Sequence, residues 1–453
     1  MLTASQSAKL AEYKNLSANA CQARERLAKL FDDGAYTEID ASVKSGGSLT
    51  GVITAYGYVD GSPVYAFSQD KNVKGGAVNK QHAAKICKVY DLASRNGVPV
   101  VGIFDSNGAF VDDGAEALAA YSEMLMWANN LSGVVPQISV VAGTCIGSAA
   151  LIACSADFVV ATEDAELYLA PNEGKNGAAA AELGTVSVLA KDDNEAVESA
   201  RKLISMLPAN NLSTAPEFEY GVSSKLAEGK AADISEAIAD AESIVEVSEK
   251  FGTAAYTAIA TIGGSAVGIA ATNKTDSKLT SDDSAKLARF VRTCDAFSIP
   301  VVTIIDTEGF ESNDNIRDLA KLANAYAEAT TVKVSVVTGK AYGSAMVAFG
   351  TANADMTFAY ADAVISPLAP VTAVEFLWHD KLKGAADVAA ERTKLAAEYA
   401  ENEASAFAAA EKNCVDEIIT SDDARAKIAG VLELMAGKRM NKRLPKKHSN
   451  MPF

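Results

Sequence analysis

One phrase occurs twice in this chain. Val98-Pro99-Val100-Val101-Gly102-Ile103-Phe104-Asp105-Ser106-Asn107-Gly108 returns as Ile299-Pro300-Val301-Val302-Thr303-Ile304-Ile305-Asp306-Thr307-Glu308-Gly309, an offset of 201 (300 − 99). A second phrase, Gly143-Thr144-Cys145-Ile146-Gly147-Ser148-Ala149, returns as Gly339-Lys340-Ala341-Tyr342-Gly343-Ser344-Ala345, offset 196 (339 − 143). Two matches in the same order at nearly equal offsets mark two homologous halves, and units of that length are domains rather than solenoid repeats. A chain of 453 residues with 49% apolar and 22% charged content agrees with two globular domains.

Each phrase has a physical reading. A Pro, an unbroken apolar run and then Asp-x-x-Gly is a strand buried on both faces, as in a parallel sheet, ending in a turn. The Gly-Ser-Ala phrase follows another such strand, Gln137 to Ala142 or Val332 to Thr338, and precedes a small-residue helix, Ala149 to Ser155 or Ala345 to Ala352. Small residues at that junction let a ligand approach bare backbone, and the first N–H groups of a helix lack internal partners, so the junction can hold an anion. The plainer alternative is a glycine that only closes a tight strand-to-helix turn.

A net charge of −17 argues against nucleic acid or an anionic membrane as the main partner, so a phosphate-bearing ligand must be met by local groups. The six cysteines (21, 87, 145, 154, 294 and 414) are far apart with no CxxC pair, which fits reduced thiols in a cytoplasm better than disulfides or zinc. The three histidines, His82, His379 and His448, are scattered, so neither a metal cluster nor a Ser/His/Asp triad is indicated. The N-terminus is polar and helical in pattern without a signal-peptide core, and no stretch approaches the apolar length of a membrane span. Asn210 to Gly229, with Pro216 and small polar residues, reads as a linker, giving domains 1–225 and 226–453. Ala23 to Ile39 and Asp233 to Val247 lead into the two halves in equivalent places. Lys438 to His448 is the one basic run, either a solvated tail or a dock for an acidic neighbour or a phosphate.

Eight blocks carry a resemblance that covers nearly the whole chain. They are ARERLAKLFDDGAYTEID near the start, GSPVYAFSQD (61–70), HAAKICKVYDLA (82–93), SGVVPQIS (132–139), ARKLISMLPANN (200–211), ARFVRTCDAFSIPVVT (288–303), AYAEATTVKVSVVTGKAYGSA (325–345) and KKHSNMPF at the end. In that order they resemble the carboxyltransferase subunits of biotin-dependent acyl-CoA carboxylases and decarboxylases, the group of propionyl-CoA carboxylase β and methylmalonyl-CoA decarboxylase α subunits. The resemblance implies an α/β fold of two tandem crotonase-like (ClpP/crotonase) domains, each a ββα superhelix. It also implies a homo-oligomer, a hexamer built as a trimer of dimers, with sites between the N-terminal domain of one chain and the C-terminal domain of another. The acyl-CoA side would be the N-terminal domain and the biotin side the C-terminal one.

That chemistry moves a carboxyl group between N1 of biotin and the α-carbon of a short acyl-CoA, and it builds negative charge on the thioester oxygen and on the ureido oxygen. Preorganised amides are the expected device for both charges, each donor contributing about 3 kcal/mol to the barrier. By resemblance, Gly147 and Ser148 form the first oxyanion hole and Ser344 and Ala345 the second. Lys71, Lys74, Gly75, Gly76 and Ala77 match the segment that meets CoA, although a solvated loop explains the two lysines equally well. Val347 matches a position lining the acyl pocket, or else lies in helix core. On this resemblance a coenzyme A thioester would be the substrate, and biotin would arrive as carboxybiotin on a separate carrier, since neither an ATP-grasp glycine loop nor an Ala-Met-Lys-Met biotinylation site occurs. The implied partners are a biotin carboxyl carrier protein and either a biotin carboxylase or a membrane decarboxylase subunit, which would hold this cytoplasmic chain at a membrane.

The chain departs from the family near the expected site. The family's Ser-Gly-Gly-Ala-Arg is here Ser106-Asn107-Gly108-Ala109-Phe110, so an arginine is lost; Gly-Gly of the first hole is Gly147-Ser148. A Ser-Gly-x-Ala-His stretch after Glu182-Leu183-Gly184 is missing, and the Pro-Gly-Phe loop is shortened to Glu308-Gly309-Phe310-Glu311-Ser312-Asn313. Two other readings follow: a carboxyltransferase-like scaffold subunit with reduced activity, and a biotin-independent CoA hydratase or isomerase that would use carboxylates such as Asp112, Asp113 and Glu116.

Overall fold

The computed structural model describes residues 2–16, 19–170, 175–311, 315–438 and 450–451. The chain divides into two compact units, Met1–Pro216 and Glu217–Phe453. The division falls before the expected boundary at 225 because the last part of the supposed linker is already tied to the second unit. Phe218 N–H donates to Gly264 C=O at 2.9 Å and Ala241 N–H to Gly221 C=O at 3.1 Å.

Each unit holds an eight-stranded mixed sheet of the same order. In the first, Tyr36–Ile39, Val52–Val59 and Ser62–Gln69 run antiparallel, and Val100–Ser106, Gln137–Ile146, Phe158–Thr162 and Val188–Ala190 continue in parallel. In the second, Val245–Glu246, Tyr256–Ile262 and Ser265–Ala271 are followed by Val301–Thr307, Lys333–Tyr342, Met356–Tyr360 and Glu417–Ile419. A short eighth strand, Glu166–Tyr168 or Val364–Ser366, pairs with the far end of the long central strand. The two Pro-led apolar runs are the buried strands Val100–Ser106 and Val301–Thr307, as their lack of polar alternation requires.

Helices Lys80–Asn96 and Ser281–Ala296 connect the antiparallel and parallel parts of the two sheets. Asn79 caps the first by accepting from His82 N–H, and a Thr280/Asp283 capping box starts the second. Each helix buries a lysine at the repeat offset of 201 (286 − 85). Lys85 Nζ donates to Val52 C=O at 2.6 Å, and Lys286 Nζ donates to Ala255 C=O at 2.8 Å and to Gly252 C=O at 3.2 Å. Both amines therefore pin their helix to the start of a first long strand. Burial lowers both, from an ordinary 10.5 to about 8.

The second unit has one addition. Between Val364–Ser366 and helix Ala406–Glu411 lie helices Pro370–Leu377, His379–Lys383 and Val388–Asn402. They close over a small core of their own that includes Val374, Leu382 and Leu395, with Trp378 edge-on to Tyr399 at 5.9 Å. The corresponding stretch of the first unit carries the single helix Gly177–Glu182 among its described residues. No helix of the described residues is long and apolar enough to cross a membrane. The basic run is described only at Lys438, whose Nζ binds Asp355 at 2.7 Å and Thr331 C=O at 2.9 Å; residues 439–448 lie outside the described residues.

The depressed Lys286 gives a pH test. Between about pH 8 and 10.5 the unfolded chain holds a proton on this amine that the native chain lacks, so its contribution to stability rises with pH through that window. The difference in unfolding free energy between wild type and Lys286→Met, from urea titrations, is expected to shift in favour of the wild type from pH 8 to 10.5. A difference that stays constant with pH contradicts the assignment.

Candidate active site

In each unit the two repeated phrases meet. The strand pairing jumps from Phe104↔Val141 to Ser106↔Cys145 in the first unit and from Ile305↔Val337 to Thr307↔Ala341 in the second, so the longer strand bulges at Gly143 and Gly339. The aspartate at each jump fills the bulge. Asp105 Oδ1 accepts from Thr144 N–H at 3.1 Å, and Asp306 Oδ1 accepts from Lys340 N–H at 2.9 Å. A Cβ on Gly143 or Gly339 would lie 2.3 or 2.4 Å from that carboxylate oxygen, so only glycine fits. Asp105 has a second partner in buried Arg26, which binds its Oδ2 at 3.0 Å and also reaches Asp193 at 2.8 Å and Ala142 C=O at 3.1 Å.

Beyond the bulge the chain turns sharply into the helices Ser148–Ala153 and Ser344–Phe349, with Gly147 at φ 61°, ψ −130° and Gly343 at φ 52°, ψ −119°. A side chain at either position is strained. Both helices start three residues or fewer from where the sequence pattern put them, and end earlier.

Here one expectation is corrected. Gly147 N–H donates to Tyr168 C=O at 3.0 Å, and Gly343 N–H donates to Ser366 C=O at 2.9 Å. The short eighth strand thus takes up both glycine amides, and Gly147 is not a free donor. The unpaired amides are those of Ser148 and Ala149, at the repeat offset from Ser344 and Ala345; all four lack a hydrogen-bond partner among the described residues.

The Asp-x-x-Gly turn adds another donor to each set. Val78 N–H donates to Gly108 C=O and Phe110 N–H to Val78 C=O, both at 2.9 Å, which leaves the Ala109 amide between them unpaired. In the second unit Leu279 brackets Phe310 in the same way, through Gly309 C=O at 3.0 Å and Glu311 N–H at 2.9 Å. Each turn lies against its bend: a Cβ on Gly108 would stand 3.6 Å from Ile146 C=O, and one on Gly309 would stand 3.9 Å from Tyr342 C=O. Ala109 and Phe310 enter the set through their backbone. Each unit therefore presents bare amides from two adjoining segments at one end of its sheet, with a carboxylate holding the bulge beside them.

The other expected residues fall around these pockets. The loop containing Lys71, Lys74, Gly75, Gly76 and Ala77 packs on the first turn, with Asn107 N–H donating to Gly75 C=O at 2.9 Å. A Cβ on Gly76 would come within 2.4 Å of Asp105 C=O. Lys71 Nζ donates to Thr144 Oγ1 at 2.5 Å, and Thr144 Oγ1 donates to Glu166 at 2.6 Å. Val347 is 70% exposed, which rules out helix core, and lines a cavity of about 790 Å³ in the second unit. Its other walls are the bend (Gly343, Met346) and the added helices (Leu377, Trp378, Tyr399), with Lys412 and Glu403 as the charged groups.

Several groups drop out as reactive centres. Burial pushes the Cys145 thiol well above its ordinary value, so the cysteine inside the second phrase is no thiolate. His82 is wholly buried and lowered to about 3 by that burial and by Lys85. Asp112 and Glu116 are exposed, and their side chains, like that of Asp113, have no hydrogen bond or ion pair among the described residues. No group of three or more His, Cys, Asp or Glu among the described residues could hold a metal ion. Residues 312 and 313 of the shortened loop lie outside the described residues. Sequence reasoning missed Arg26 and the clamping role of the two aspartates; the aspartate's presence in both copies of the first phrase was the available signal.

Comparison with known proteins matches a carboxyl transferase domain model over residues 14–451. The chain is similar to methylmalonyl-CoA decarboxylase subunit alpha of Propionigenium modestum, 36% identical over 482 residues covering 95% of this chain and 93% of that protein. It is also similar to the propionyl-CoA carboxylase beta chain of Saccharopolyspora erythraea, 34% identical over 497 residues covering 95% and 90%. Among solved structures, transcarboxylase 12S, a hexamer with methylmalonyl-coenzyme A and methylmalonic acid bound, superposes with a TM-score of 0.92 at 31% identity, covering 100% of this chain and 99% of that one.

The bends are testable directly. Gly147→Val and Gly343→Val place a branched side chain on backbone that favours glycine, and each is expected to lower turnover about 100-fold or more while leaving circular dichroism unchanged. A folded variant with wild-type turnover contradicts the role of that bend.

Proposed function

We infer that this chain, which belongs to the carboxyl transferase domain family and is a carboxyltransferase subunit of the biotin-dependent acyl-CoA carboxylases and decarboxylases, uses its two amide pockets on the two oxyanions of one transfer. The observation that carries this reading is the matched set of unpaired amides, Ala109, Ser148 and Ala149 in one unit and Phe310, Ser344 and Ala345 in the other. A single-oxyanion reaction needs one such pocket. A carboxyl transfer between a thioester and a urea needs two.

In this reading the first pocket receives the thioester oxygen. When the C–C bond to the departing carboxyl group breaks, its electron pair moves into the acyl group, and the amides stabilise the enolate oxygen that results. Amides fixed by Asp105 need no reorganisation as that charge grows. The second pocket would hold biotin's ureido oxygen, and bound biotin would supply the N1 nitrogen that accepts or donates the carboxyl group. The residues fit such a group: three bare amides lie beside an apolar cavity of about 790 Å³. Exposed Val347 and the side chains of Trp378 and Tyr399, which line that cavity, would pack against the ring system. In this chemistry the chain orients the reactants and stabilises charge.

The same reading extends to assembly. We place this chain in a homo-oligomer of the hexameric kind, where the first pocket of one copy and the second pocket of another serve one reaction. It would receive biotin from a carboxyl carrier protein, with a biotin carboxylase or a membrane decarboxylase subunit as the further companion. Co-purification identifies which.

The test uses the purified full chain with methylmalonyl-CoA, malonyl-CoA or glutaconyl-CoA and free biotin. Biotin-stimulated release of CO₂ from at least one thioester is the expected result. Hydration or isomerisation without biotin would replace this reading with that of a crotonase-type enzyme. No turnover of any thioester would replace it with that of a scaffold subunit.

A further inference from the structure

Beside the first turn the structure places an exposed positive charge that comes from a different segment, the loop containing Lys74. Lys74 Nζ lies 4.9 Å from the centre of the Phe110 ring. Phe110 directly follows Ala109, whose amide belongs to the first pocket. Lys74 comes from the neighbouring loop and is held there on strained backbone: its φ is +53°, a conformation a lysine rarely adopts. Two further contacts fix the loop. A Cβ on the next residue, Gly75, would meet Asn107 of the turn at 2.7 Å, and Lys74 Nζ itself reaches Ser45 C=O at 3.4 Å.

The two lysines of this loop differ in what they face. Lys71 is engaged with Thr144 and through it with Glu166. Lys74 has no carboxylate within ion-pair distance among the described residues, although the chain carries 58 acidic residues against 41 basic ones. An exposed ammonium that meets an aromatic face and one carbonyl keeps donors free for a ligand.

We propose that Lys74, seated on Phe110, is a specificity-determining residue of the first pocket that binds the carboxylate of a dicarboxylic acyl-CoA. This rests on the reading of the first pocket as the thioester site. Position selects the carboxylate over the phosphates of coenzyme A. Lys74 stands against the residue next to a pocket amide, whereas the phosphates lie a full pantetheine arm away from the thioester. The ring face orients the ammonium without neutralising it, which a carboxylate partner would do. The site consequently discriminates the carboxylated thioester from the product that has lost its carboxylate.

The experiment compares binding of methylmalonyl-CoA, propionyl-CoA and free CoA to the full chain by calorimetry without biotin, for wild type, Lys74→Met and the double variant Lys74→Met/Phe110→Arg. Methionine keeps the stem and removes the charge. Lys74→Met should weaken methylmalonyl-CoA by about 10- to 100-fold, the range of a charge-assisted hydrogen bond, and leave propionyl-CoA and CoA within about twofold. The double variant should recover most of the loss, because the charge returns from the other side of the same contact. Equal weakening of all three ligands overturns the proposal and assigns Lys74 to the phosphates. Unchanged methylmalonyl-CoA binding overturns it as well. If the wild type binds none of the three, the thioester reading of the pocket falls, and the proposal with it.

Discussion

The site in each unit depends on one interaction, a carboxylate at the end of one strand accepting the backbone N–H of the strand beside it, buried in the first unit and more exposed in the second. Asp105 and Asp306 force the neighbouring strand to bulge, and the bulge turns the chain toward the helix that follows. In the first unit, where the joint is buried, the bulged Thr144 N–H would without that acceptor lie in a dry interior with no partner, at a cost of about 1–3 kcal/mol. The glycine opposite each carboxylate is the steric counterpart of the same contact, since a Cβ there would overlap the oxygen. The first and second repeated phrases are thus two sides of one joint. That explains why they occur in pairs.

The halves keep this joint and differ around it. In the first, Arg26 sits behind Asp105 at 2% exposure and ties the aspartate to Asp193, so the charge of the clamp is balanced from within. In the second, Asp306 is less deeply set, and the nearby ion pair is the half-exposed Lys340–Glu308, at 2.7 Å. The hydrogen bond from Lys340 holds the Glu308 carboxyl below its ordinary range, but exposed pairs of this kind contribute little to stability. The second half instead gains three helices and a cavity beside its bend. One half has invested in a rigid clamp and a basic loop, the other in an apolar wall. Such a division suits a small charged thioester head at one pocket and a less polar ring at the other.

Much of this was legible in the sequence because it is written in residue types whose physics is local. Pro-led apolar runs fixed the buried strands, the glycine-flanked phrases fixed the bends, and the equal offsets fixed the two-unit plan. What escaped has a common cause, namely long-range backbone pairing. Whether the Gly147 amide is free depends on Tyr168 C=O, at the end of a three-residue strand too short to leave a periodic pattern. The division near 216 depends on Phe218 finding Gly264 across the sheet edge, and a Pro- and Gly-bearing stretch gives no sign of that. Val347 looked equally suited to core and to a pocket, because a six-residue helix cannot show which of its faces is covered.

The acidity of the chain places a further constraint on any anionic ligand. At a net charge of −17 the molecule as a whole repels a CoA ester, and screening confines that field to about 10 Å at ordinary ionic strength. Binding must then come from groups closer than that, presented without competing carboxylates. Bare amides meet the requirement because they are dipoles fixed by the fold. Their strength does not depend on protonation, and they cannot be neutralised by a neighbouring side chain. This is why the pockets can be built from Ala109, Ser148, Ala149 and their counterparts, residues with almost no side-chain chemistry. It is also why a serine can stand after Gly147: the exposed Ser148 side chain leaves its amide in place. In the proposed reading the chemistry resides in the path of the backbone, and Asp105, Asp306 and Arg26 are the side chains that hold that path.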